Sequence, residues 1–229
     1  MTGAILKVQI GLVTSAFTID VAFEVAPGVT VLFGPSGAGK SRTLACIAGL
    51  VRPTSGFIAL GSDVWFDGAA KRELAIHERR VAYVFQSLAL FPHLTGAQNV
   101  AYGVSRAIPK ADRRARAHEM LGRMRVAHLA DRKPRTFSGG EAQRVALARA
   151  FAMKPRVLML DEPFSALDGG VKRELLAEVG EWLGREQIPA LLVTHLAEEA
   201  RALGERVVLL EHGRVTREAA LDDPTLSLG

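Results

Sequence analysis

The residues Gly34-Pro35-Ser36-Gly37-Ala38-Gly39-Lys40-Ser41 have the types and spacing to hold a phosphorylated ligand. Glycines let a backbone turn tightly and aim its N–H groups inward, where they and a following helix N-terminus cradle phosphate oxygens. Lys40 supplies a point charge for β- and γ-phosphates, and Ser41 offers a hydroxyl to Mg²⁺. The chemistry implied is the binding of a nucleoside triphosphate. The flanking segments suit that task. Val29 to Phe33 is a short apolar run that reads as a buried strand, and Thr43 to Leu50 reads as the start of a helix.

A second set of polar residues lies far downstream. Val157 to Leu160 is a continuous apolar run, as expected of a strand buried on both faces of a parallel sheet, and it ends in Asp161 and Glu162. Ligand sites in open α/β sheets lie at the carboxyl ends of strands, which puts this pair beside the phosphates, with Asp161 suited to Mg²⁺. An acidic helix N-cap pair is the alternative reading. Ser138 followed by Glu141 is a capping box, and a helix opened by Ser138-Gly139-Gly140 exposes backbone donors suited to an anion. His195 follows the apolar run Ala190 to Thr194 and precedes Glu198 and Glu199; a histidine so placed is open to a structural role as well as a functional one.

Taken in order, Tyr83-Val84-Phe85-Gln86, Thr136 to Arg144, Arg156 to Pro163, Ser165-Ala166-Leu167-Asp168 and Leu192 to His195 resemble the Q-loop, signature, Walker B, D-loop and H-loop of an ATP-binding-cassette (ABC) ATPase. The resemblance covers essentially the whole chain and implies an enzyme that hydrolyses ATP to ADP and phosphate, with ATP and Mg²⁺ as ligands. By resemblance, Glu162 polarises the attacking water, His195 contacts the γ-phosphate, and Gln86 contacts Mg²⁺ or the water and senses a membrane partner. Ser138, Gly139, Gly140 and Glu141 then face the nucleotide of a second copy, with Ser165 to Asp168 at the dimer interface. Phe17 is the candidate for adenine stacking, a strand-core phenylalanine being the alternative. Arg42 stands where the family usually carries Ser or Thr, and Phe137 where it carries Leu.

Ile76 to Gln86 followed by Leu90 to Thr95 resembles bacterial importer subunits. The hairpin with Trp65-Phe66-Asp67, the acidic Glu141 and the pair Arg79-Arg80 look most like the molybdate importer ATPases. That resemblance implies transmembrane permease subunits as partners, a substrate-binding protein reached indirectly, a homodimer on ATP binding, and a peripheral place on the cytoplasmic face of the inner (plasma) membrane. The alternatives are an importer ATPase for another substrate and a soluble cassette acting in iron–sulfur assembly.

The elements that must position these residues are legible in outline. The chain has 229 residues, 48% of them hydrophobic and 23% charged, which suits a single domain with a sizeable core. No apolar run approaches the ~20 residues of a membrane span, and the N-terminus lacks the pattern of a signal peptide. The lone Cys46 reads as a small buried residue. The net charge is +5, much of it between Lys110 and Arg135 on an amphipathic stretch without interleaved aromatics. That reads as a solvated face near anionic lipid, and no nucleic-acid partner is expected.

Phe17 to Val25 alternates at period two as a half-buried antiparallel strand, Gly56 to Leu60 and Asp63 to Phe66 form a hairpin, and Leu88 to Arg135 is helical apart from loops at Phe91-Pro92-His93 and Ile108-Pro109. The expected fold is α/β: a P-loop NTPase core with a mostly parallel sheet, an N-terminal antiparallel β-subdomain and a helical subdomain inserted at approximately residues 88–137. No C-terminal oxyanion-binding domain is expected after Asp222-Asp223-Pro224.

Overall fold

Strict alternation of buried and exposed side chains along β1 (Leu6–Val13) and β2 (Thr18–Val25) makes them an antiparallel pair with one wet face. The computed structural model describes residues 4–15, 17–165, 167 and 169–228, which divide into two compact units. The first comprises residues up to Val81, Arg156–Asp161 and Val179 onward; the second comprises Ala82–Pro155 and Glu162–Glu178.

In the first unit, β3 (Gly28–Phe33) is apolar and buried from Val29 onward. It leads through the phosphate loop into α1 (Lys40–Ala48). This helix starts earlier than the apolar pattern alone indicates and stops at Gly49, which takes the left-handed conformation at φ 83°. The hairpin of β4 (Ser55–Leu60) and β5 (Asp63–Asp67) is followed by the two-residue β6 (Arg72–Glu73) and the single turn α2 (Ile76–Arg79). Three later strands, β8 (Val157–Asp161), β9 (Pro189–Thr194) and β10 (Arg206–Glu211), pair in parallel with β3 or with one another, and β8 and β9 are buried at every position. Helix α7 (Ala197–Leu203) follows β9, and β11 (Arg214–Ala220) is the last strand of the described residues.

The first unit's strands run in the order β6-β5-β4-β1-β2-β11-β10-β3-β9-β8. The parallel core and the N-terminal antiparallel strands are thus one continuous sheet, joined where β11 meets β2 at Arg214 and Asp20. Register aligns the strand ends. Phe33 pairs with Thr194, and Asp161 with Val193, so β3, β9 and β8 end level with one another at their carboxyl ends.

The second unit opens with Ala82 to Val84 of β7 (Val81–Val84) and is otherwise helical: α3 (Gly96–Gly103), α4 (Lys110–Arg123) and α5 (Gly139–Ala152), with the first part of α6 (Gly169–Glu186). The expected helical start at Leu88 is overturned. Leu88 and Ala89 have φ of 61° and 46°, and no helix forms until Thr95 caps α3 through a Thr95/Gln98 capping box. Among the described residues, no helix is long and apolar enough to cross a membrane.

Candidate functional site

The phosphate loop takes the shape its glycines allow. Gly34 has φ 153°, and a Cβ there would stand 2.1 Å from the Leu210 carbonyl oxygen, so only glycine lets the loop leave β3 against β10. Gly213, in the turn between β10 and β11, donates its N–H to the Ala38 carbonyl at 3.1 Å, and its own carbonyl accepts from Asp20 N–H at 2.8 Å. That turn therefore braces the loop from the side of β2. Within the loop, Lys40 Nζ donates to the carbonyls of Gly34 at 2.7 Å and Pro35 at 2.9 Å. The ammonium is folded over the loop's start, although the residue is nearly buried.

Level strand ends bring three candidate groups to the same edge of the first unit. Ser41 Oγ donates to Asp161 Oδ1 at 2.8 Å, joining the first turn of α1 to the end of β8. Both are hard oxygen donors of the kind Mg²⁺ takes, and so fit that ion. His195 lies just past β9 and lines a cavity of about 310 Å³ with Phe33, Gly34 and Pro35. Its loop is fixed by buried chemistry: Thr194 Oγ1 donates to Glu199 Oε2 at 2.6 Å and accepts from Leu196 N–H at 3.0 Å. Phe17 sits outside β2 and is half-buried, so it is not a strand-core residue. The Arg42 guanidinium lies 5.8 Å from its ring centroid, within cation–π range. Phe17 also lines a cavity of about 510 Å³ with Gly37, His212, Gly213 and Arg214.

In the second unit, Gln86 Nε2 donates to Glu162 Oε2 at 3.2 Å, bringing together the Q-loop residue and the carboxylate expected to handle water. Glu162 has φ 47°, a conformation L-residues adopt at a cost and one that is concentrated at functional sites. The residues of the signature segment open α5. Ser138 caps α5, accepting from Glu141 N–H at 3.3 Å, while Glu141 Oε2 accepts from Ser138 N–H at 2.7 Å. Gly139 and Gly140 form the first turn. Glu141 Oε1 also meets His128 Nε2 at 2.9 Å. The Ser138 N–H first, and then His128, hold the Glu141 carboxyl below the usual carboxylate range. Of the D-loop residues, Ser165 Oγ donates to the Glu162 carbonyl at 3.1 Å and Leu167 N–H to the Phe164 carbonyl at 3.2 Å; Ala166 and Asp168 lie outside the described residues.

Sequence reasoning missed several polar anchors. Arg79 is fully buried and donates to the carbonyls of Ile47 at 2.8 Å, Cys46 and Leu74 at 3.2 Å, and Trp65 at 3.4 Å. Arg144 is buried in an ion pair with Glu178, which Arg125 also contacts at 3.1 Å. Arg149 donates to the Leu88 and Ala89 carbonyls, each at 2.7 Å. Asn99 is fully buried and bridges Phe91 N–H at 2.8 Å and the Thr95 carbonyl at 3.0 Å. The signal was faint in each case: a charge or amide whose partners, backbone carbonyls for Arg79 and Arg149 and a distant carboxylate for Arg144, no spacing rule points to.

A family model described as ABC transporter matches residues 19–165. The molybdenum import ATP-binding protein of Rhodospirillum rubrum is 42% identical over 208 residues, covering 91% of this chain and 56% of that protein. The protein of the same description from Rhizobium meliloti is 42% identical over 225 residues, covering 96% and 62%. The sulfate/thiosulfate import ATP-binding protein of Gloeobacter violaceus is 43% identical over 198 residues, covering 86% and 56%. The chain thus spans between 56% and 62% of the length of these relatives. The dimeric structure of a bacterial ABC transporter cassette matches the fold with TM-score 0.81 at 29% identity, over 95% of this chain and 98% of that one. A post-hydrolysis form of the same cassette with ADP and phosphate gives TM-score 0.81 at 28% identity. With its motifs in family order, its phosphate loop and strand-end carboxylate joined through Ser41 and Asp161, and a family match across most of its length, the chain belongs to the ABC transporter family.

Proposed function

We propose that this chain binds Mg-ATP and hydrolyses it as a head-to-tail homodimer, at the cytoplasmic face of a bacterial inner membrane, to drive import of molybdate or a related oxyanion through transmembrane permease subunits. The observation that carries the reading is the Ser41–Asp161 hydrogen bond beside the phosphate loop, with Gln86 on Glu162 in the second unit. The import function and the oxyanion rest on the likeness to the molybdenum and sulfate/thiosulfate import proteins.

Each residue has its own share of the work. The backbone N–H groups of Gly34 to Ser41 hold the phosphates, and Lys40 turns from the Gly34 and Pro35 carbonyls to the β- and γ-phosphates. Ser41 and Asp161 would hold Mg²⁺, and the bound ion would neutralise charge on the phosphate oxygens. Gln86 fixes one oxygen of Glu162 and so the plane of the carboxylate, which accepts a proton from the attacking water. His195 contacts the γ-phosphate, and Phe17 and Arg42 take the base side of the nucleotide. The α5 N-terminus, with Ser138, Gly139, Gly140 and Glu141, contacts the nucleotide held by the other copy, and Ser165 to Asp168 lie at the dimer interface. Catalysis is then positioning and charge stabilisation of an in-line displacement.

The permease surface belongs to the second unit, where Leu94, Ala97, Ala101 and the 59%-exposed Tyr102 line a cavity of about 510 Å³ rimmed by Lys110, Arg113 and Arg114. An apolar floor with a basic rim suits a short amphipathic segment of a membrane protein.

Mixing two inactive variants tests the composite site. Lys40→Ala disables phosphate binding in its own copy, and Ser138→Arg blocks the signature face with bulk and charge. Differently tagged, exchanged dimers of the two contain one intact site and regain part of the hydrolysis. Confirmed mixed dimers with no recovery contradict the trans arrangement. Uptake of labelled molybdate against sulfate in cells that depend on this chain separates the two oxyanions.

A further inference from the structure

The segment after Gln86 holds two successive non-glycine residues, Leu88 and Ala89, in the left-handed region at φ 61° and 46°. Side-chain and backbone crowding makes this unfavourable for L-residues, so such a pair persists only where its surroundings hold it. Local backbone bonds contribute: Leu88 N–H donates to the Phe85 carbonyl at 2.8 Å, and Ala89 N–H to the Ser87 carbonyl at 2.7 Å. The outward carbonyls of the same two residues both point to one guanidinium, that of Arg149 in α5. Its planar fork matches two adjacent oxygens in a way a lysine cannot. The same guanidinium lies 5.7 Å from the Phe91 ring centroid, which covers its face. Helix α5 is the one that Ser138 caps and that opens with Gly139-Gly140.

We propose that Arg149 is a positioning residue for the reaction: by clamping the Leu88 and Ala89 carbonyls to the signature helix, it holds the Q-loop in its strained form and so keeps Gln86 on Glu162. The proposal rests on the hydrolytic reading of the site. Arg149 acts through the backbone two and three residues beyond Gln86. Without the clamp, Leu88 and Ala89 relax toward ordinary backbone conformations, and the Gln86 amide leaves the carboxylate it orients. Nucleotide binding by the phosphate loop uses other residues, so the loss falls on turnover.

The test compares the full chain with Arg149→Met, with Arg149→Lys, and with Arg149→Met carrying Leu88→Gly and Ala89→Gly. Steady-state Mg-ATP hydrolysis and amide hydrogen exchange over residues 85–95 are the readouts. We expect Arg149→Met to lower kcat roughly tenfold or more while KM for ATP moves less than about twofold, the pattern of a lost transition-state arrangement. Glycine takes the left-handed region without strain, so the glycine pair recovers at least about threefold of that loss. Arg149→Lys falls between wild type and Arg149→Met, and its exchange rises in 85–95 but not in α5. A folded Arg149→Met with unchanged kcat, a loss confined to KM, or no recovery with the glycine pair overturns the proposal. If Arg149→Met does not fold, Arg149→Lys decides: unchanged exchange in 85–95 overturns the proposal. A wild-type chain that does not hydrolyse ATP refutes the hydrolytic reading, whereas the exchange comparison still tests the clamp.

Discussion

Ser41 Oγ lies 2.8 Å from Asp161 Oδ1, a hydrogen bond across 120 positions of sequence that locks the first turn of α1 to the end of β8. It fixes the distance between the two side chains assigned to Mg²⁺. Ser41→Ala removes one oxygen ligand and the donor that orients the other. A hydrogen bond to a charged group is worth ~1.5–3 kcal/mol, so the Mg²⁺ concentration for half-maximal hydrolysis rises roughly tenfold or more. Mg²⁺ titration of hydrolysis at fixed ATP checks this, and an unchanged midpoint removes Ser41 from the metal site.

Arg79 closes the other end of α1. The Cys46 and Ile47 carbonyls belong to the helix's last turn, where backbone acceptors have no partner inside the helix. A buried cation there also complements the helix dipole. Burial pushes the Arg79 guanidinium below its ordinary range. Arg79→Met strands these carbonyls and is expected to destabilise the chain by about 2–4 kcal/mol in urea unfolding. Arg79→Lys recovers less than half, since a point charge cannot span carbonyls from residues 46, 47, 65 and 74. A loss below about 1 kcal/mol for Arg79→Met contradicts the capping role.

Arg42, in the first turn of α1, stands beside Phe17. As a cation in the first turn of α1 it opposes the helix dipole, and bound nucleotide phosphates relieve that repulsion. The Arg42 side chain is exposed, and its guanidinium lies 5.8 Å from the Phe17 ring centroid. Arg42→Thr is therefore expected to raise the melting temperature without nucleotide and to shrink the shift that Mg-ATP produces. Equal nucleotide-induced shifts in the two proteins, at matched ionic strength, make the substitution neutral.

Glu141 gives the signature helix a pH dependence. Its folded pKa is depressed, so its contribution to stability is fully present above the unfolded value, about 4.3 for a glutamate, and is lost as pH falls through the lower folded value. Glu141→Gln keeps the capping geometry but not the charge. The stability difference between wild type and Glu141→Gln is expected to shrink below about pH 4 in acid titrations of urea unfolding. The carboxylate is partly exposed, so the effect is small. A difference that grows on acidification contradicts the assignment.

How much of the molecule was legible in the sequence depends on how far each partner lies along the chain. Predominantly apolar runs marked β3, β8 and β9, as strands buried on both faces require; the buried polar residues they carry, Thr30, Asp161 and Thr194, are few. The phosphate loop and the Ser138–Glu141 cap were legible because their chemistry is contained within a few residues. Arg79 and Arg149 were not, since each is satisfied by carbonyls of residues distant in sequence, and a carbonyl is present at every position. The left-handed Leu88 and Ala89 carry no glycine to mark the turn, and so they read as the start of a helix. The pairing of Glu141 with His128 needed the three-dimensional path of the short helix Ala127–Leu129.

The proposed hydrolysis turns on Glu162 as the carboxylate that accepts the water's proton. Single-turnover phosphate release from Mg-ATP by Glu162→Gln, alongside size-exclusion chromatography with ATP, measures that role. An amide holds the geometry but takes no proton, and general-base catalysis contributes about 10²–10⁴-fold. The wild-type chain is expected to hydrolyse ATP. Glu162→Gln is expected to bind ATP as tightly, to release phosphate at least about a hundredfold more slowly, and to elute as an ATP-bound dimer. Phosphate release by Glu162→Gln at close to the wild-type rate would contradict the assignment of Glu162 as the base.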